Sequence, residues 1–509
     1  MTQPPHDHVC VTKRQSEAAA AARVAVRLAA RKRAELMELI RPVFRWTGTW
    51  LQAGKYVAAV TSDLPRRNGW TIARQAGDRS PDPTQRLLNR AAWDDAAAMS
   101  AVRRFAVAGL DQAAARRRGR RALAIGALDE TGQEKHGTAT AGVKRQHMGC
   151  AGGVENGIST VHLSYVREHT GHALIGARQW IPADQIADPV RSLEMALPPD
   201  LEFATKGQLA AAICADARTD WVNVDFICGD EVYGSCTELR QALEAADQAY
   251  VLRVPSNFTL TLTTGVKLTC AGAVAWLGDQ LRWEVRSAGN GSKGQRWYAW
   301  AQIAAASPRH SLLIRRHLRT GELAYHYCFV PGGQPGAMTR LIRAAGLRWP
   351  VEEDFEFAKD GFGLDQSQVR LYHAITRHTI LVMTALAICA VTTALLRTRA
   401  GDQPPEPGRP GQAPPPGRWL IPLTVPGPHR NAHHGPARAP ACSAHTTRAP
   451  PRAVIDSQSV RPSANYHCPE RRSNDGQAIL EANRRGLQPG PDLDFWVELW
   501  GFEPRTSDR

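Results

Sequence analysis

The chain has 509 residues, 63 Lys and Arg against 48 Asp and Glu, a formal net charge of +15 and 43% hydrophobic residues. It is too long for one ordinary core, and its 10 cysteines show no Cys-x-x-Cys or Cys/His ligand spacing, which argues against a structural zinc site and a secreted disulfide framework. The basic balance points to a polyanionic partner; by itself it does not separate a nucleic acid from a membrane surface or an Arg-rich compositional habit.

Met1 to Ala18 is polar and has no apolar core of the signal-peptide kind, so a reducing cytoplasmic setting is expected. Residues 16–41 then alternate Ala, Leu and Val with Arg and Lys, the pattern of an amphipathic basic helix. That helix reads equally as a solvated face or as a phosphate-contacting one. From Thr47 to Leu110, helical patterns are broken at Asp63-Leu-Pro, Arg67-Asn-Gly-Trp70 and Asp78 to Pro83, predicting a small helical module over 41–115. Its Arg66, Arg67, Arg74, Arg79, Arg86 and Arg90 are candidates for gripping a DNA backbone, with a recognition helix within Thr84 to Arg90.

Ala122 to Leu128 is an apolar run of strand length that ends at Asp129. Ile158 to Val166 and Ala173 to Ile181 predict an antiparallel meander; helical patterns follow near Pro189 to Ala196 and Lys206 to Ala217. Val222 to Cys228 reads as a second carboxylate-tipped strand delivering Asp230, Tyr233 to Ala246 as a helix, and Tyr250 to Val254 as a strand. This alternation predicts an α/β sheet core, in two parts over 116–254 and 336–400. Between them, 255–335 is Thr-rich and aromatic, a predicted β-rich insertion. Its turn from Gly291 to Arg296 would present Lys293 and Arg296 on a flexible loop, either as a phosphate clamp or as a solvated hairpin.

Arg348 to Asp365 reads as a helix bearing a carboxylate. Pro350 suits a first helical position, Val351, Phe355 and Ala358 recur on one face, and Gly361 and Gly363 stop it. Glu352, Glu356 and Lys359 then share a side. Ile380 to Leu396 is apolar enough to approach a membrane span, but its threonines and the Arg377-His378 before it favour a buried core helix. Beyond Ala400 the prolines crowd together and periodicity ends, so 401–509 is expected to be disordered.

Asp129, Asp230 and Glu352 come from three separate elements, the arrangement that metal-assisted phosphoryl transfer asks of its oxygen ligands. Asp129 in A-L-D-E-T-G, Asp230 in C-G-D-E-V-Y-G and Glu352 in W-P-V-E-E-D-F resemble the catalytic triad of bacterial insertion-sequence transposases of the DDE superfamily. Lys135, G-V-K-R-Q-H from Gly142, K-G-Q-R-W-Y-A-W from Lys293 and G-L-D-Q-S-Q-V-R from Gly363 resemble stretches of the same group. Arg348, Glu352 and Lys359 fit its Tyr-x2-Arg-x3-Glu-x6-Lys signature; Ala345 stands where the tyrosine would be.

The resemblance, over about Arg41 to Leu396, implies an RNase H-like mixed sheet with flanking helices and a β insertion, preceded by the helical module. It also implies catalytic and metal-binding Asp129, Asp230 and Glu352, two magnesium or manganese ions, and Arg348, Lys359, Lys293 and Arg296 against DNA phosphates. The implied partners are double-stranded DNA at the element ends and target and a second copy of the chain, with no membrane, in the cytoplasm at the nucleoid. Glu352 is preferred over Glu353 because it keeps the Arg and Lys spacings; Glu130 and Glu231 should point to the other side of their strands. The tail departs from the family: L-I-P-L-T-V-P at Leu420 to Pro426 resembles it, the basic sequence expected afterwards is missing, and Asp456 is read as a decoy. An out-of-frame tail leaves the alternative of an impaired remnant that only binds DNA.

Overall fold

The computed structural model describes residues 13–117, 122–291, 294–332 and 336–399. The tail, with Asp456, and Lys293 lie outside the described residues.

Five helices come first: α1 (Lys13–Ile40), α2 (Thr47–Val60), α3 (Gly69–Gln75), α4 (Asp82–Asn89) and α5 (Asp95–Ala115). Their breaks have local causes. Asn68 caps α3 in a reciprocal arrangement with Thr71, and Asp94 caps α5 by accepting from the Ala97 N–H.

The chain then enters the sheet with β1 (Ala124–Glu134), β2 (Lys144–Met148), β3 (Gly153–Arg167) and β4 (Gly171–Trp180). Helices α6 (Ala183–Ala187), α7 (Pro189–Glu194) and α8 (Lys206–Thr219) lead to β5 (Phe226–Gly229). Next come α9 (Glu231–Ser235), α10 (Thr237–Ala245) and β6 (Tyr250–Val254). The single helix expected over 233–246 is thus split at Cys236. The reason is a close approach: a Cβ on Gly234 would sit 1.8 Å from the Arg253 carbonyl oxygen, so α9 is pressed on β6 and the chain must turn before it can continue helical.

The sheet order β4-β3-β1-β5-β6 is set by an antiparallel meander (β1, β3, β4) joined to two strands parallel to β1 (β5, β6). This is the mixed RNase H-like arrangement. The insertion supplies β7 (Thr259–Thr261), β8 (Lys267–Thr269), α11 (Cys270–Leu277), β9 (Glu284–Gly291), β10 (Gly294–Ala304), β11 (His310–His317) and β12 (Leu323–Phe329). Four of these strands do not form a separate sheet. They extend the central one in the order β6-β12-β11-β10-β9, because β12 pairs antiparallel with β6 from Tyr325↔Val254 to Phe329↔Tyr250.

The last elements are α12 (Met338–Gly346), α13 (Pro350–Glu356), a π-helical turn over Phe357–Gly361, and α14 (Tyr372–Arg399). Helix α14 is long and apolar enough to cross a membrane by length and composition, yet 78% of an apolar 18-residue stretch of it is buried inside the molecule. It packs on α5, β4, α1, α2 and α4, so the N-terminal helices and the sheet share one core. Arg377 and His378 pin that contact. Arg377 Nε donates to Asp95 Oδ1 at 3.0 Å, and His378 Nδ1 lies 2.8 Å from the Tyr56 hydroxyl.

Candidate active site

Strand register puts the two aspartates side by side. Strands β1 and β5 run parallel with Ala127 opposite Cys228, so two residues further on Asp129 and Asp230 stand level at the carboxyl end of the pair. β1 itself does not stop at Asp129, as the apolar run suggested; it continues to Glu134 because β3 pairs with it along the whole length. The edge that opens at Asp129 is made by the ending of β5, and Asp230 there caps α9 by accepting from the Val232 N–H at 2.9 Å.

Glu352 arrives from the other side of the sequence. Helix α12 ends at Gly346, where a Cβ would lie 2.0 Å from the Ala288 carbonyl oxygen; only glycine lets the chain pass that close to β9. Four residues later Pro350 opens α13, whose Val351, Phe355 and following Ala358 are buried as their spacing requires. Arg348, in the entry turn, reaches both carboxylates: Nη1 donates to Asp129 Oδ2 at 2.6 Å and Nη2 to Glu352 Oε1 at 2.9 Å.

Burial pushes the Asp129 carboxyl up to about 6, with Arg348 pulling it down and Asp230 pushing it further up. Burial also raises Asp230, and Glu130 adds to the rise. Glu130 accepts from Lys206 Nζ (2.9 Å) and the Tyr233 hydroxyl (2.7 Å), and its charge is felt at Asp230. Contrary to expectation, Glu231 is not on a strand, because β5 ends at Gly229; it opens α9 and pairs with Arg253 at 2.9 Å. Glu353 faces His172 at 3.3 Å rather than Arg348.

Lys359 lies on the π-helical turn and, with Thr131, Gln133, His162 and Ile158, lines a small recess further along β1. Arg296 departs from the flexible-loop expectation. It is on β10, and its Nη2 donates to the carbonyl oxygens of Ala288 (3.1 Å) and Gly346 (2.9 Å), holding the insertion against the α12–α13 turn. The loop from Gly363 to Arg370 is tied down by β1: Gln133 Nε2 donates to the carbonyls of Asp365 and Ser367, and Lys135 Nζ to Ser367 at 2.6 Å. Of the helical module's arginines, Arg66, Arg74, Arg79, Arg86 and Arg90 are exposed. Arg67 is buried, donating to the carbonyls of Val60, Ser62 and Leu64. Sequence spacing gives no sign of that difference.

Two family models match the chain: a DDE superfamily endonuclease over residues 48–266 and a transposase DDE domain over residues 206–388. The chain is a DDE-type transposase. The matches overlap across β5 and Asp230 and between them span the helical module, the sheet, the insertion and α13. No curated protein sequence matches the chain.

Enzymes of this superfamily generally use divalent metal ions. Among the described residues of the transposase no three His, Cys, Asp or Glu side chains stand close enough to hold an ion as they are. The donor chemistry nevertheless fits a hard cation that keeps water and phosphate among its ligands: carboxylates alone, two of them close enough for Asp230 to raise Asp129. The Arg348 guanidinium supplies the positive charge among them.

Proposed function

We propose that this transposase cuts DNA at the ends of an insertion sequence and joins the released ends to a target, with Asp129, Asp230 and Glu352 as the ligands of two magnesium or manganese ions. The observation that carries the reading is the convergence of Asp129 and Glu352 on one guanidinium beside Asp230. Bound divalent ions would activate the attacking oxygen and neutralise the charge on the leaving one.

The chain's own groups have three tasks. Asp129 lies within β1 and Asp230 directly follows β5, each two residues past the Ala127–Cys228 pair, so their separation follows from the pairing of the two strands. Arg348 is a planar fork with donors in two directions, suited to exchanging a carboxylate for the phosphate oxygens of a bound strand. Lys359, half-buried in its recess, is a point charge placed to follow the same backbone. Water is the nucleophile of the first step. It attacks the phosphorus at the element end in line and displaces the element's 3′-oxygen, so the flanking strand keeps a 5′-phosphate and the element gains a 3′-hydroxyl. That hydroxyl then attacks a target phosphate and displaces the target's 3′-oxygen, so no covalent protein intermediate is needed. The exposed arginines of α3, α4 and the turns beside them hold the duplex, and bringing two ends together calls for two copies of the chain.

The test is cleavage of a labelled duplex carrying the flanking element end, with magnesium or manganese, for the intact chain and for Asp230→Ala. Metal-dependent nicking that disappears in the variant is the expected result. An intact chain that binds this duplex and never nicks it would overturn the reading in favour of a DNA-binding remnant.

A further inference from the structure

Helix α13 carries a second set of charged contacts on the side away from the aspartates. Asp354 is fully buried (0% exposed) and accepts from the Ser164 hydroxyl on β3 at 2.5 Å; its other oxygen meets His172 Nδ1 on β4 at 2.8 Å. His172 Nε2 continues to Glu353 at 3.3 Å, and Glu353 in turn feels Arg296 and Arg397. A wholly buried carboxylate is costly to keep, and well-packed apolar side chains would hold the helix at least as firmly. Its presence asks for a purpose other than adhesion.

The geometry supplies one. Residues two apart on an α-helix point about 200° from each other, so a hold on Asp354 dictates where Glu352 faces. The hold comes from β4 through His172 and from β3, whose His162 pairs with Asp129 and whose Ser164 pairs with Ala127, the same stretch of β1 that sets the two aspartates level. Helix α13 has only 7 residues, and on it Val351, Asp354 and Phe355 are buried, so few side chains set its orientation.

We propose that Asp354, His172 and Ser164 form a positioning network that sets the rotation of α13 and so aims Glu352 at Asp129 and Asp230. It rests on the assignment of Glu352 as a metal ligand. The three residues touch neither DNA nor metal; they act through Glu352.

The experiment measures Mn2+ binding to the full chain by electron paramagnetic resonance, together with duplex affinity and the single-turnover cleavage rate at saturating duplex. The variants are His172→Ala, which empties the contact, and His172→Asn, whose amide replaces the Nδ1 donor to Asp354 and gives up Glu353. Loss of such outer contacts typically weakens a metal about tenfold or more, so His172→Ala is expected to bind Mn2+ about tenfold more weakly and to cleave more slowly with unchanged duplex affinity. His172→Asn should recover most of both. If His172→Ala binds Mn2+ like the parent, or if Ala and Asn are equally impaired, the proposal is overturned. Should His172→Ala not fold, Ser164→Ala takes its place, with the same loss expected and wild-type Mn2+ affinity as the refuting result. Asp230→Ala separates the two levels: if it leaves Mn2+ binding intact, the metal assignment itself fails; if it abolishes binding while the His172 variants do nothing, only the positioning network fails.

Discussion

The Arg348 guanidinium donates to Asp129 at 2.6 Å and to Glu352 at 2.9 Å, joining β1 to α13 across 219 residues of sequence. One side chain therefore pairs with and aligns two of the three carboxylates. Removing an active-site donor of this kind typically costs about 10²-fold or more in rate, and that is the expected effect of Arg348→Ala on strand cleavage. Arg348→Lys keeps the charge and loses the fork, so it should fall between the two. Single-turnover cleavage at saturating duplex decides it; equal rates for all three proteins would remove Arg348 from the chemistry.

Stability should fall in acid, and His378 gives one reason. It is buried between the Tyr56 hydroxyl and the Leu364 carbonyl, and burial lowers its pKa from 6.5 to about 4. The unfolded chain takes up a proton near 6.5 that the folded chain refuses until about 4, so His378 costs nothing above that window and destabilises progressively as pH falls through it. His162, lowered by burial to about 4, acts in the same direction. Chemical denaturation between pH 7.5 and 4.5 is the check: His378→Gln should show a shallower loss than the parent, and parallel curves would refute the linkage.

Arg67 and Arg86 are expected to separate folding from DNA binding. Arg67→Ala strands the buried carbonyls of Val60 and Ser62, a loss of about 2 kcal/mol for groups left without a partner. Arg86→Ala, exposed on α4, should leave the melting temperature unchanged, weaken duplex binding and reduce the salt dependence by about one phosphate contact. Melting curves and salt-dependent binding isotherms for the two variants test both halves; an exposed-arginine variant with full affinity would remove α4 from the DNA surface.

The core role of α14 has a direct test. Leu381 is 1% exposed, and Leu381→Ala should cost about 2–5 kcal/mol through lost burial and the cavity left behind. Denaturant unfolding measures it. A loss below about 1 kcal/mol would contradict a tightly packed α14.

Much of the candidate site was visible along the chain because its parts are local. Asp129 and Asp230 each follow an apolar run, and Pro350 with the Val351, Phe355 and Ala358 spacing marks a helix that must turn Glu352 away from its buried face. The buried nature of α14 was also legible, from threonines and an Arg-His pair that a lipid-facing helix would not favour. The interruption at Cys236 was not, since Gly234 shows its purpose only when the Arg253 carbonyl lies against it. Nor was the inward turn of Arg296, whose partners Ala288 and Gly346 lie 8 and 50 residues away.

By itself the sequence determined the broad alternation of helices and strands, the candidacy of Asp129, Asp230 and Glu352, and the helix that carries Glu352, because hydrophobic period, turn residues and caps act between near neighbours. Only the tertiary structure decided that the insertion lengthens the central sheet, that Arg67 is a structural donor while Arg86 faces solvent, and that Asp354 is locked by Ser164 and His172. Strand pairing, burial of a guanidinium and a hydrogen bond spanning 190 residues depend on which distant segments meet, and no local pattern encodes that meeting.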